Sequence, residues 1–248
     1  MIKAILFDLD DTLLDLNLTA FMGRYTLEQS RVLSRVLARP LPSCSIALAK
    51  AYLAIDAQDR MDGMTNERLL WKVLDEDLGS VSQNASLRSA LDYLDQEGAR
   101  NFRGGLVQAR PREGNHEVIQ TAKDMGLMVG LATNPCFSLA VDDVRLSWAE
   151  LSRDLFVDVT HIGNSTRNKP SARYYLEFIS RLGLTPEECI MVGNDARRDF
   201  CKPDIGLLTA YVGHGRPRRS IFEGNLSSLA RHLPELVATL DAREAHLH

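Results

Sequence analysis

Residues 2–7, Ile-Lys-Ala-Ile-Leu-Phe, make a short apolar run that stops at Asp8, Asp10 and Asp11. Such a run, bulky and closed by polar residues, predicts a buried strand. From Leu18 to Leu94 the spacing changes. Leu33, Val36 and Leu37, then Leu69, Leu70, Val73 and Leu74, then Leu87, Leu91 and Leu94 recur at three- and four-residue steps, the repeat of amphipathic helices. Pro40, Pro42 and Gly79-Ser80 interrupt the stripes, so about four helices and no strand are expected. Beyond Gly104-Gly105, helix and strand alternate. The pattern predicts a helix over His116–Met125 closed by Gly126, then a strand over Leu127–Ala132. A helix over Tyr174–Leu182 capped by Gly183 precedes a strand over Glu188–Val192. A final strand over Leu208–Val212 and a helix between Ser227 and Leu240 complete the chain.

This alternation predicts an α/β fold, a parallel sheet covered on both faces, with an all-helical segment inserted. The α/β core is assigned to 1–15 and 106–248, the helical insertion to 16–105. Ligands of such sheets gather beyond the carboxyl ends of the strands. Three predicted strands end in polar groups there: Asp8/Asp10, Thr133/Asn134 and Asn194/Asp195.

Composition narrows the function classes. With 248 residues, 45% apolar and 25% charged, the chain has material for a buried core, which excludes dominant disorder. The net charge of −4 implies no general attraction to nucleic acid or anionic membrane, so an anionic ligand must be held by local groups. Cys44, Cys136, Cys189 and Cys201 are scattered without a Cys-x-x-Cys pair, which argues against a zinc site or disulfide scaffold and suits a reducing compartment. No stretch approaches ~20 apolar residues, and residues 2–7 are too short for a signal-peptide core, so a cytoplasmic protein is expected.

Strand periodicity puts Asp8 and Asp10 on one side, where two converging carboxylates call for a hard divalent cation. Asp195 and Asp199 form a second acidic set, four apart and on one face if a helix begins there, although Asp195 alone also suits a helix N-cap. Thr133-Asn134 offers a hydroxyl and backbone N–H groups to a phosphoryl oxygen if a helix starts at that point. Lys169, before Pro170 at the opening of another helix, supplies the positive charge that phosphate needs in an acidic chain.

In this order the pieces resemble the haloacid dehalogenase superfamily, whose hydrolases carry Asp-x-Asp-x-Thr, a Ser/Thr, a Lys and an acidic Gly-Asp-type motif. Here these are Asp8-Leu9-Asp10-Asp11-Thr12, Thr133, Lys169 and Gly193-Asn194-Asp195 with Asp199, spanning residues 1 to about 212. The resemblance implies a Rossmann-like three-layer core with a C1-type helical cap, and a magnesium-dependent phosphatase acting on a small phosphorylated metabolite. By the same resemblance Asp8 is the nucleophile that forms an aspartyl-phosphate, and Asp10 is the general acid and base. Mg2+ is implied on the Asp8 side chain, the Asp10 backbone carbonyl and Asp195, with Thr133, Asn134 and Lys169 on the phosphate. Asp199 is implied to orient a metal-bound water or Lys169. Asp10 argues against a dehalogenase; a phosphomutase, a phosphonatase using a cap lysine such as Lys50 or Lys72, and a non-catalytic binding module are the alternatives. Two departures stand out. Asp11 replaces a common Gly, which is tolerable if φ there is not positive. Asn194 leaves the metal ligand among Asn194, Asp195 and Asp199, with Asp195 favoured for its charge. Arg60, Asp62 and Arg68 in the insertion, and Arg216, Arg218 and Arg219 after the last predicted strand, read as solvated surface.

Overall fold

Alternate side chains of β1 (Ala4–Phe7) serve two cores at once. Ala4 and Leu6 join a cluster with Tyr174, Phe178 and Met191, whereas Ile5 and Phe7 join one with Val118, Ile119 and Leu229. All four strand residues are buried, as the central strand of a parallel sheet requires. In the computed structural model, which describes residues 1–245, the chain leaves β1 through β2 (Leu14–Leu16) and enters four helices. These are α1 (Leu18–Leu37), α2 (Leu41–Asp56), α3 (Asn66–Leu78) and α4 (Ala85–Tyr93). It returns through β3 (Ala109–Pro111) and continues as α5 (Asn115–Asp124), β4 (Met128–Leu131), α6 (Leu139–Trp148), α7 (Ala172–Arg181), β5 (Cys189–Gly193), β6 (Leu208–Tyr211), β7 (Ser220–Glu223) and α8 (Leu226–Ala245).

The sheet runs β4-β1-β5-β6-β7, parallel throughout. Phe7 is level with Leu131 on one side and Val192 on the other, so Asp8, Ala132 and Gly193 emerge together at the carboxyl edge. The expected elements of this core are present. Besides the β2–β3 pair, which was also unforeseen, two elements were not expected, and one expectation is corrected: Leu208 does not open the final strand, because β7 adds a half-buried edge beyond it. The other unforeseen element is α6, capped by Ser138, whose side chain accepts from Val141 N.

The insertion forms a helical cap with its own core, where Leu33, Leu48, Leu70 and Leu74 meet. Asn17, Thr65 and Asn84 cap α1, α3 and α4 through side-chain oxygens. The outgoing and returning chains pair antiparallel as β2 and β3, with Arg110 donating to Asp15 at 2.6 Å, so the cap is carried on a two-stranded ribbon.

An aromatic cluster joins cap to core: Phe137 packs edge-on against Phe21 and Tyr25 at 5.3 and 5.4 Å. Tyr25 also donates its hydroxyl to Asp95 at 2.8 Å, and burial pushes the Asp95 carboxyl up from 3.8 to about 6. A raised acid favours folding fully below pH 3.8 and loses that contribution as pH climbs through about 6. Asp95→Asn, which keeps the acceptor, is therefore expected to raise unfolding stability at pH 7 by about 2–3 kcal/mol and to flatten its slope between pH 4 and 6. Urea melts across that range check it; an unchanged slope sinks the assignment.

Candidate active site

The carboxyl edge of the sheet opens on a cavity of about 840 Å³ whose wall includes Asp8, Asp10, Asn134, Lys169, Asp195 and Asp199. The structure thus gathers onto one space residues that the chain separates widely. Asp8 is buried. Its Oδ1 accepts from Lys169 Nζ at 2.5 Å, and its Oδ2 lies 3.1 Å from the Thr12 hydroxyl. That hydroxyl also lies 3.1 Å from Asn194 Oδ1, so one proton is shared between acceptors from two motifs. Lys169 donates a second bond to Asp199 at 2.7 Å. Burial alone would push its ammonium down, but Asp199 and Asp8 outweigh that and hold it above its ordinary value. The cation is fixed in the charged state.

Gly193 has a steric reason. A Cβ there would stand 2.2 Å from Asp199 Oδ2, so any larger residue would displace the carboxylate that holds Lys169. Asn134 acts at one remove, accepting from the Lys169 backbone N–H at 3.1 Å. Thr133 sits in a loop, not at a helix start; α6 begins at Leu139. Its carbonyl is clamped by Thr160 and Tyr174 hydroxyls at 2.7 and 2.8 Å, while its own Oγ1 is buried without a partner. A buried orphan hydroxyl is costly unless a ligand completes it.

Two further expectations are corrected. Asp11 has φ +57, in the left-handed region. Aspartate tolerates it because its Oδ1 accepts from Leu16 N at 3.3 Å. Nor does a helix begin at Asp195; the segment is a turn closed by Asp199 N donating to Asp195 O at 2.8 Å. The Asp195 side chain bends back to accept from Arg197 N at 2.7 Å, which leaves Asn194 as the group sharing a proton with Asp8.

Asp10 brings a partner the sequence did not announce. Its Oδ2 accepts from Arg145, a fully buried arginine on α6 that also forks to Asp142 and lies 4.4 Å from the Phe137 ring centroid. Asp10 Oδ1 is buried with no partner. Burial raises the Asp10 carboxyl above its ordinary value, against the pull of the Arg145 guanidinium. The cap contributes polar ties of its own: Asn66 donates to Asn168 at 2.9 Å, and Asn168 donates to Asp56 at 3.1 Å, beside Lys169. Arg60 is buried rather than solvated, binding Asp62 in the α2–α3 loop and Asn66 at the start of α3. Arg216 is exposed, and Arg219 pairs with Asp204 at 2.7 Å.

The family model for haloacid dehalogenase-like hydrolases matches residues 2–200. The chain belongs to that family. This haloacid dehalogenase-like hydrolase is 32% identical over 138 residues to the N-acetylmuramic acid 6-phosphate phosphatase of Pseudomonas aeruginosa, covering 54% of this chain and 59% of that protein. It is 24% identical over 128 residues to the pyrophosphatase PpaX of Halalkalibacterium halodurans, covering 51% and 58%. The chain thus spans about three fifths of the length of these relatives. Among solved structures, a 2-haloacid dehalogenase from Pseudomonas syringae pv. Tomato is similar with a TM-score of 0.57 and 21% identity, covering 96% of this chain and 99% of that one. A phosphatase of the same family from Thermococcus onnurineus has a TM-score of 0.55 and 20% identity, covering 94% and 98%. These two likenesses speak for the fold.

The family implies a magnesium ion, and the donors fit one. Asp8, Asn194 and Asp195 offer only oxygen, the preference of a hard cation. Among the described residues no three His, Cys, Asp or Glu side chains form a ready metal cluster.

Proposed function

We propose that this hydrolase is a magnesium-dependent phosphatase that cleaves a small phosphorylated metabolite through an aspartyl-phosphate on Asp8. The observation that carries the reading is the pairing of two carboxylates in opposite conditions on one cavity: Asp8 against a fixed ammonium, and Asp10, two residues on, pushed toward its protonated form. The Lys169 ammonium 2.5 Å from Asp8 Oδ1 offsets charge beside the attacking oxygen, and burial raises Asp10 toward the protonated form that a general acid needs. The phosphatase names of the two curated relatives support the same class.

In this mechanism an Asp8 oxygen attacks phosphorus, the ester P–O bond breaks, and Asp10 delivers its proton to the leaving oxygen. Asp10, now ionised, takes a proton from a water that attacks the same phosphorus and frees Asp8. Lys169 and the Thr133 hydroxyl hold the phosphoryl oxygens and offset their charge. When bound, magnesium neutralises the phosphate and fixes its geometry. Asn134 and Asp199 position Lys169, and residues 16–105 exclude water from above. Lys50 is exposed and paired with Asp77 and Lys72 is exposed too, so neither is placed for Schiff-base chemistry. Among the described residues no helix is long and apolar enough to cross a membrane. All four cysteines are free thiols, as a reducing compartment keeps them, which suits a cytoplasmic enzyme.

Hydrolysis of 4-nitrophenyl phosphate with and without magnesium tests the reading; a folded chain inert under both conditions at every pH removes it. Asp10→Asn should slow turnover by ~10²–10⁴-fold, the usual range for a lost general acid and base. Equal rates for wild type and variant would reassign the proton donor.

A further inference from the structure

Above Asp8 the cavity is walled by one face each of α1 and α2. Residues 18, 22, 26 and 30 with 23 and 27 share a face of α1, and residues 45, 48, 49, 52, 53 and 56 share a face of α2. Met22, Leu27, Leu48, Ala49, Tyr52 and Leu53 make these faces predominantly apolar. Leu27 and Leu53 are 39% and 73% exposed, large hydrophobic side chains on a face that a surface helix ordinarily makes polar or charged. Neither cap face brings a lysine or arginine to the cavity, and its one charged residue there is Asp56.

The charge around the cavity is one-sided. Asp8, Asp10, Asp11, Asp56, Asp195 and Asp199 line it, against two cations, Lys169 and Arg198. Both are already engaged, Lys169 by Asp8 and Asp199 and Arg198 by Asp56 at 3.1 Å. The phosphoryl end has a counter-charge; a second anion under the cap has none. A space of about 840 Å³ with mostly apolar walls and a few convergent polar groups at one end is the form of a site for a bulky apolar ligand.

We infer that the substrate's leaving group is large, uncharged and mainly apolar, a phosphate monoester of a hydrophobic alcohol, which the cap selects against leaving groups carrying a carboxylate or a further phosphate. This rests on the phosphatase reading and departs from the anionic leaving group that a pyrophosphatase handles.

The test has a binding arm and a turnover arm, both on the full chain with magnesium. Alkylphosphonates of two to ten carbons, titrated by calorimetry, are expected to show Kd falling about four-fold per added methylene until the cavity is filled. An ω-carboxylate on the eight-carbon ligand should raise Kd at least about ten-fold. Leu27→Glu and Leu53→Glu, at exposed positions where folding is not at stake, should both flatten the chain-length series. A Kd independent of chain length, an ω-carboxylate bound as tightly as its parent, or a slope unchanged in both variants overturns the inference. Alkyl phosphates of the same lengths, assayed for phosphate release, separate it from the reading beneath it. A rising binding series with no hydrolysis of any monoester removes the phosphatase and keeps the apolar site. Hydrolysis with a flat binding series does the reverse.

Discussion

Asp8→Asn is expected to abolish phosphate-ester hydrolysis, with kcat falling at least ~10⁴-fold, while the chain stays folded. The amide has the size of the carboxylate but lacks the anionic oxygen that attacks phosphorus. The fold survives because Lys169, the group with most to lose, keeps Asp199 at 2.7 Å and can still donate to the amide oxygen. The cost should be about 1–2 kcal/mol, the scale of one weakened hydrogen bond to a charged group. Two measurements separate chemistry from folding. Circular dichroism should superpose wild type and variant. Acid quench after mixing with a phosphate ester should trap a phosphorylated wild-type chain and none of the variant. A variant that kept more than a few per cent of the rate, or still trapped phosphate, would show that Asp8 is not the nucleophile.

Where a pattern alone sets the structure, the chain was readable. Buried parallel strands are continuous apolar runs, so β1, β4 and β5 stood out, and the chemistry after each lay at a strand end as expected. β7 was hidden because Ser-Ile-Phe-Glu is a half-buried edge with no such run. α6 was hidden for a more instructive reason. Its ten residues carry Asp142, Asp143 and Arg145, a density that reads as solvated surface. An arginine on the buried face makes sense only with both its carboxylates, Asp142 three residues back and Asp10 135 positions away. Direction was the other gap. Charge favoured Asp195 over Asn194; both line the cavity, Asp195 Oδ1 accepting from the Arg197 N–H at 2.7 Å and Asn194 Oδ1 lying 3.1 Å from the Thr12 hydroxyl, turn bonds that composition does not disclose. Asp11 is a similar case. The left-handed φ that glycine usually supplies is held here by an aspartate accepting from Leu16 N.

Loss of Arg145 is expected to cost the chain much of its stability. The side chain is fully buried, it bridges the carboxylates of Asp10 and Asp142, and both carboxylates lie in the same low-dielectric space. Burial pushes the Asp142 carboxyl up to about 7 even with the guanidinium attached, as expected where unpaired negative charge is poorly tolerated. Arg145→Met removes the cation and leaves two carboxylates facing each other, a change worth about 3–5 kcal/mol when one partner of a buried pair is lost. For a chain of this length that corresponds to a fall in Tm of roughly 10 °C. Activity should fall with it, because Asp10 Oδ2 loses the bond that leaves Oδ1 turned to no protein partner. Arg145→Lys keeps the charge but not the planar fork that reaches both acids, so it should recover part of the stability and less of kcat. Pairing Arg145→Met with Asp142→Leu removes one of the stranded carboxylates and should restore about half of the lost stability without restoring turnover. Thermal melts and kcat on the three variants decide the matter: if Arg145→Met melts with wild type, the bridge does not hold this site together.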